Sequence, residues 1–82
     1  MTREIRWDPR ARKDFDALAR VLGERVDAAI RKLAVGVGDV RRLTHVDPPL
    51  YRLRVGDWRV LFRFQDESIL ILRVLPRDKA YR

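Results

Sequence analysis

The chain has 82 residues, no cysteine and a single histidine, His45. That length allows one small domain, residues 1–82, with a thin core and no disulfide to reinforce it. Thiol nucleophiles, thiolate metal sites and imidazole clusters are excluded, and no apolar run approaches the roughly 20 residues of a membrane span.

The first residues, Met1-Thr2-Arg3-Glu4, lack the apolar stretch of a signal peptide, and a cytoplasmic protein without a membrane role is expected. The formal net charge is +7, from 19 basic and 12 acidic residues. Sixteen of the basic residues are arginine, the side chain suited to bidentate phosphate contacts. The excess is uneven. Residues 1–40 carry a net +2 and residues 41–82 a net +5, so a polyanion contact is expected in the second half.

In chain order, Met1 to Trp7 reads as a short strand with Arg3, Ile5 and Trp7 on one face. Asp8-Pro9 starts a helix, with Asp8 as N-cap and Pro9 at the first helical position. Ala11, Phe15, Leu18 and Leu22 form its apolar stripe, and Gly23 is read as its stop. A second helix follows with the stripe Val26, Ala29, Ile30 and Leu33, ending near Gly36-Val37-Gly38. Asp39 to Leu43 is a short strand or a loop, and Thr44 to Pro49 is irregular.

The remainder alternates as strands do. Tyr51, Leu53 and Val55 face the core while Arg52 and Arg54 face away, and Gly56-Asp57 has the chemistry of a two-residue hairpin turn. Trp58, Val60, Phe62 and Phe64 then share one face, with Arg59, Leu61 and Arg63 on the other. After a turn at Asp66-Glu67-Ser68, the apolar run Ile69 to Leu75 reads as an interior strand. Its register stays open. A two-residue loop puts Leu70, Leu72 and Val74 beside the arginines, and a three-residue loop puts Ile69, Ile71 and Arg73 there. The fold class is α+β: an N-terminal strand, a helical hairpin, then a mainly antiparallel three-strand meander, with the helices on one face.

The hairpin register pairs Arg54 with Arg59 and Arg52 with Leu61. Arg52, Arg54, Arg59 and Arg63 therefore share a face on which the hairpin offers no acid. Such a face attracts an anion, or is a solvated surface on which long side chains spread. Pro76 ends the last strand, and Arg77, Lys79, Tyr81 and Arg82 follow it as a basic tail. His45 reads as a surface residue, Trp58 as core, and the adjacent Asp66 and Glu67 as a solvated turn rather than a metal site.

Two segments resemble a known family. Tyr51-Arg52-Leu53-Arg54-Val55-Gly56-Asp57-Trp58-Arg59-Val60-Leu61-Phe62 resembles the central hairpin of the RelE/ParE superfamily of bacterial toxins. Leu72-Arg73-Val74-Leu75-Pro76-Arg77-Asp78-Lys79-Ala80-Tyr81-Arg82 resembles its closing strand and arginine–tyrosine tail. The upstream pattern at residues 8–15 and 39–43 fits as well. The resemblance implies a toxin of a type II toxin–antitoxin pair. On the RelE-like branch it implies an endonuclease that enters the ribosomal A site and cleaves mRNA by attack of the 2′-hydroxyl, with no metal or cofactor. On the ParE-like branch it implies a non-catalytic inhibitor of DNA gyrase; a detoxified relative would keep only antitoxin binding.

Arg59, Arg77 and Tyr81 match the RelE-like catalytic set, and the RelE-like branch is the one expected. Arg52 and Arg54 match the basic residues that hold RNA, to which the charge pattern adds Arg63, Lys79 and Arg82. Pro76 departs from the family, standing where relatives carry His or Lys. The implied partners are a cognate antitoxin, the ribosomal A site and mRNA, with DNA reached only through the antitoxin.

Overall fold

The computed structural model describes residues 2–80. Tyr81 and Arg82, and with them part of the expected site, lie outside the described residues. The chain runs β1 (Glu4–Trp7), α1 (Pro9–Asp16), α2 (Arg20–Ala34), β2 (Val40–Arg42), β3 (Tyr51–Val55), β4 (Trp58–Gln65) and β5 (Ser68–Pro76). The strands form one sheet in the order β1-β5-β4-β3-β2. β1 runs parallel to β5 and every other pairing is antiparallel. The helices cover one face, and this is the expected α+β layout. Among the described residues no helix is long and apolar enough to cross a membrane.

Local chemistry accounts for the ends of the helices. Asp8 caps α1, its side chain accepting from the Arg10 N–H at 2.8 Å, with Pro9 in the first turn. The expected stop at Gly23 does not occur. Gly23 lies inside α2 and donates its N–H to the Ala19 carbonyl at 2.8 Å. The chain instead turns at Ala17–Ala19, where neither a glycine nor a proline marks the corner. Leu18 and Leu22 pack on the core from its two sides. Tertiary packing decides here what local propensity leaves open.

The core is the helix-facing side of the sheet. Leu53, Val60, Phe62, Ile69, Ile71 and Val74 meet Ala11, Val26, Ile30 and Leu33 from the helices. Phe62 is fully buried, and burying a side chain of that kind stabilises the fold by about 1.5–3 kcal/mol. Phe64 shares this face and touches Tyr51 and Phe62, but it lies at the margin and is 43% exposed.

The β3–β4 register is the expected one: Val55 opposite Trp58, Arg54 opposite Arg59, Leu53 opposite Val60 and Arg52 opposite Leu61. The β5 register combines the two alternatives. Gln65 pairs with Ser68 across a two-residue loop, which sets Leu70 opposite Arg63. A bulge then intervenes. Phe62 pairs with Ile71 but Leu61 with Arg73, so Leu72 is the extra residue. Beyond it Val74 joins the core opposite Val60, while Arg73 and Leu75 stand opposite Leu61 and Arg59.

Candidate nucleic-acid interface at the hairpin tip

The arginine-bearing face is less open than the alternation implies. Arg52 and Arg59 are buried, at 8% and 7% exposure. This corrects the expectation that all four arginines of the face are open to an anion or to solvent. The Arg52 Nη1 donates to the Asp39 carbonyl at 3.0 Å and to its carboxylate at 3.2 Å. The acid that the hairpin itself lacks thus comes from the residue before β2.

Arg59 folds back on the turn. Its Nη1 donates to the Gly56 carbonyl at 2.8 Å and to the Trp58 carbonyl at 2.9 Å. The two carbonyls offset part of a charge that stands opposite Arg54 in the ladder, where two facing cations repel. Arg54 stays exposed. Arg63 is half-buried, with Nε making no hydrogen bond among the described residues. Four residues along β4, it sits about 13 Å from Arg59 at ordinary strand spacing.

The tail is fixed to the same turn. Pro76 still pairs with Trp58, and the Arg77 N–H donates to the Asp57 carbonyl at 2.8 Å. The next turn closes through Lys79 N–H to the Pro76 carbonyl at 3.0 Å, and Ala80 is buried. Arg77 and Lys79 are exposed. Asp57, Trp58, Pro76, Arg77 and Asp78 line an open depression at the tip. Trp58 serves twice, packing on the core and lining this depression. Arg59 and Arg77, far apart in sequence, therefore meet on one two-residue turn, while Arg52 and Arg63 stand away from it.

The alternation in β2 adds one cation that the sequence reading left out of the site. Arg41 pairs with Arg52 and is exposed on the same face as Arg54. With Asp39 to Leu43 left open as strand or loop, no face could be given to it.

The exposed guanidinium groups of Arg41, Arg54 and Arg77 and the ammonium of Lys79 are offered to solvent. Such a set of groups can take an anion. The carboxylates of Asp57 and Asp78 beside Arg77 temper the field and restrict how an anion approaches.

The sequence profile of the ParE toxin of type II toxin–antitoxin systems matches residues 5–81. The chain belongs to this toxin family. Solved structures agree with the assignment. The archaeal RelE–RelB complex from Pyrococcus horikoshii matches with a TM-score of 0.73 at 27% identity, covering 98% of this chain and 100% of that one. The RelBE2 toxin–antitoxin complex from Mycobacterium tuberculosis matches at 0.62 and 28% identity, over 94% and 100%. The RelB–RelE complex from Methanococcus jannaschii shares the fold at 0.76 and 20% identity, over 93% and 94%. No protein of curated function matches the sequence with significance. The toxin is thus a member of the RelE/ParE superfamily, as its hairpin and tail motifs imply.

Proposed function

We propose that this toxin is a ribosome-dependent mRNA endonuclease restrained by a cognate antitoxin. The observation that carries the reading is the Arg77 N–H to Asp57 carbonyl bond, which fixes the tail to the Arg54–Arg59 hairpin tip. Cleavage needs the 2′-hydroxyl to attack the adjacent phosphorus in line, the phosphorane charge to be stabilised, and the 5′-oxygen to gain a proton as it leaves. The products are a 2′,3′-cyclic phosphate and a 5′-hydroxyl. In this reading Arg77 contacts the scissile phosphate and neutralises developing charge. Arg59, locked against the turn carbonyls, holds the tip rigid and adds its charge beneath the phosphate. Tyr81 orients a base or takes the 2′-hydroxyl proton.

Arg54, Lys79 and Arg82 hold the flanking backbone, and Arg63 holds it farther along β4. Arg52 supports the site from within through Asp39. No imidazole is at the tip and arginine is a poor proton donor. Most of the rate then comes from positioning and charge, and the ribosome supplies the orientation that free RNA lacks. The antitoxin relation is supported by the relatives, whose structures are toxin–antitoxin complexes. A partner with acidic segments suits the +7 charge.

The test is 5′-end mapping of mRNA after adding the purified toxin to a reconstituted translation system, with and without ribosomes. Ribosome-dependent cuts with 5′-hydroxyl ends, lost in Arg77→Ala, are the expected result. Uncut message from the folded toxin would sink the reading. Inhibition of DNA gyrase is the second reading, which the match to the ParE toxin family keeps beside the first. Loss of gyrase supercoiling with intact message would establish it.

A further inference from the structure

Arg25 reaches the hairpin tip from α2, on the sheet face opposite Arg54 and Arg59. A Cβ built on Gly56 would lie 3.0 Å from the Arg25 Nη2, 3.8 Å from its Cζ and 3.9 Å from its Nη1. The Nη2 end of the guanidinium therefore points at the space a side chain would fill on a residue with φ of 58°, a conformation that favours glycine.

Other arginines on the helix are matched differently. Arg20 pairs with Glu24 and Arg31 with Asp27, each one turn away. Arg25 is exposed and makes no ion pair or hydrogen bond among the described residues. Three arginines from separate parts of the chain thus converge on the turn: Arg25 beside Gly56, Arg59 on the Gly56 carbonyl, and Arg77 through its N–H on the Asp57 carbonyl. The carboxylate at the turn itself is that of Asp57.

We propose that Arg25 is a phosphate contact of the RNA site, so that an RNA strand crossing the tip is held from both faces of the sheet. The inference rests on the nuclease reading and extends its site onto α2. Arg25 is placed as a binding residue with no part in the proton transfers. Its loss should weaken engagement and leave the chemical step alone.

The experiment is single-turnover cleavage on mRNA-programmed ribosomes, with toxin titrated at several salt concentrations, for the wild type, Arg25→Gln and Arg31→Gln. Thermal melts confirm that each variant is folded. For Arg25→Gln the half-saturating concentration should rise about fivefold, the scale of one exposed charge contact, with an unchanged maximal rate. The slope of log affinity against log salt should fall by about 0.7, the value for one single-strand phosphate. Arg31→Gln should match the wild type.

An unchanged half-saturating concentration for Arg25→Gln, or a lost maximal rate at unchanged half-saturation, would overturn the assignment. Weakened antitoxin binding with intact RNA engagement would give Arg25 to the antitoxin instead, and overturn it equally. Absence of any cleavage by the wild type would remove the nuclease reading itself, together with this extension of it.

Discussion

Asp14 on α1 and Arg73 on β5 are locked by two side-chain hydrogen bonds, Nε to Oδ2 at 2.8 Å and Nη2 to Oδ1 at 3.1 Å. The same Oδ2 accepts the Val74 N–H at 2.9 Å. β1 pairs with β5 only as far as Ile71, and the Asp8 N–H then takes the Ile71 carbonyl at 2.9 Å. Past that point a side chain satisfies the edge of β5 in place of a strand. Removing the carboxylate strands a guanidinium and a backbone donor together. Asp14→Ala should cost about 2–3 kcal/mol. At roughly 4–8 °C per kcal/mol for a domain of this size, a thermal melt reads that as a loss of about 10–20 °C. A loss under 3 °C would show that the pair is dispensable.

The same pair carries a pH dependence. Burial alone would raise the Asp14 pKa. The hydrogen bonds from Arg73 and Val74, with the charges of Arg73 and Arg10, outweigh it and hold the carboxyl below the ordinary range. Asp14 in turn raises Arg73, which stays charged. A depressed folded-state carboxyl contributes stability that is complete above the unfolded value near pH 4 and is lost as pH falls through the folded value. The stability difference between the wild type and Asp14→Asn should therefore be constant above about pH 5 and shrink below pH 4. Denaturant melts across that range check the sign, and a difference that grows on acidification would contradict it.

Arg59 and Arg77 should separate in their effects. Arg77 is exposed and holds the turn through its backbone, which Arg77→Ala preserves. Its loss should abolish mRNA cleavage and move the melting temperature by less than about 2 °C, as an exposed side chain should. Arg59 is buried and its Nη1 bonds two carbonyls. Arg59→Ala should cost about 2 kcal/mol of stability as well as activity. Arg59→Lys keeps the charge without the planar fork, and should recover less stability than charge alone implies. Equal melting temperatures for the two alanine variants would refute this division.

Much of this fold can be read from the residues, and the failures have physical causes. Alternation along Tyr51–Phe62 sets the hairpin register because one face must be buried. The same rule misleads in β5, since the bulge at Leu72 exchanges faces midway and nothing local marks it. Alternation also assigns Arg52 and Arg59 to the outer face without telling that they are buried there. That depends on Asp39 and on the turn carbonyls, partners set by topology. Arg25 is on the hairpin tip only because α2 packs across the sheet, a placement invisible to periodicity.

Arg52 and Asp39 give a further test of partners that topology creates. Arg52 Nη1 reaches both the carboxylate and the carbonyl of Asp39. Asp39→Ala removes only the first, and the carboxylate is half exposed, so solvent already screens the pair. Its cost should stay below about 1 kcal/mol. Arg52→Ala also leaves the carbonyl one donor short and empties a buried position, and should cost about 2 kcal/mol. A double-mutant cycle should return a coupling of about 0.5 kcal/mol. Equal costs for the two single variants would show that the carbonyl contact contributes nothing.

Gly23 supplies the last test, at the position where sequence and structure part. It lies in the interior of α2 with its N–H bonded in the helix, and a Cβ there would meet nothing within 4 Å. Glycine in a helix interior costs about 1 kcal/mol relative to alanine, chiefly through unfolded-state freedom. Gly23→Ala should therefore stabilise the toxin by about 0.5–1 kcal/mol, a rise of several degrees in melting temperature. Gly56→Ala should do the reverse, because φ of 58° strains alanine and the new Cβ presses on Arg25 at 3.0 Å. Gly36→Ala separates the two causes. Its φ of 86° is equally strained, yet open space surrounds the Cβ. It should lose stability while leaving RNA cleavage intact, whereas Gly56→Ala should impair both. A helix that truly ended at Gly23 would gain nothing from alanine there.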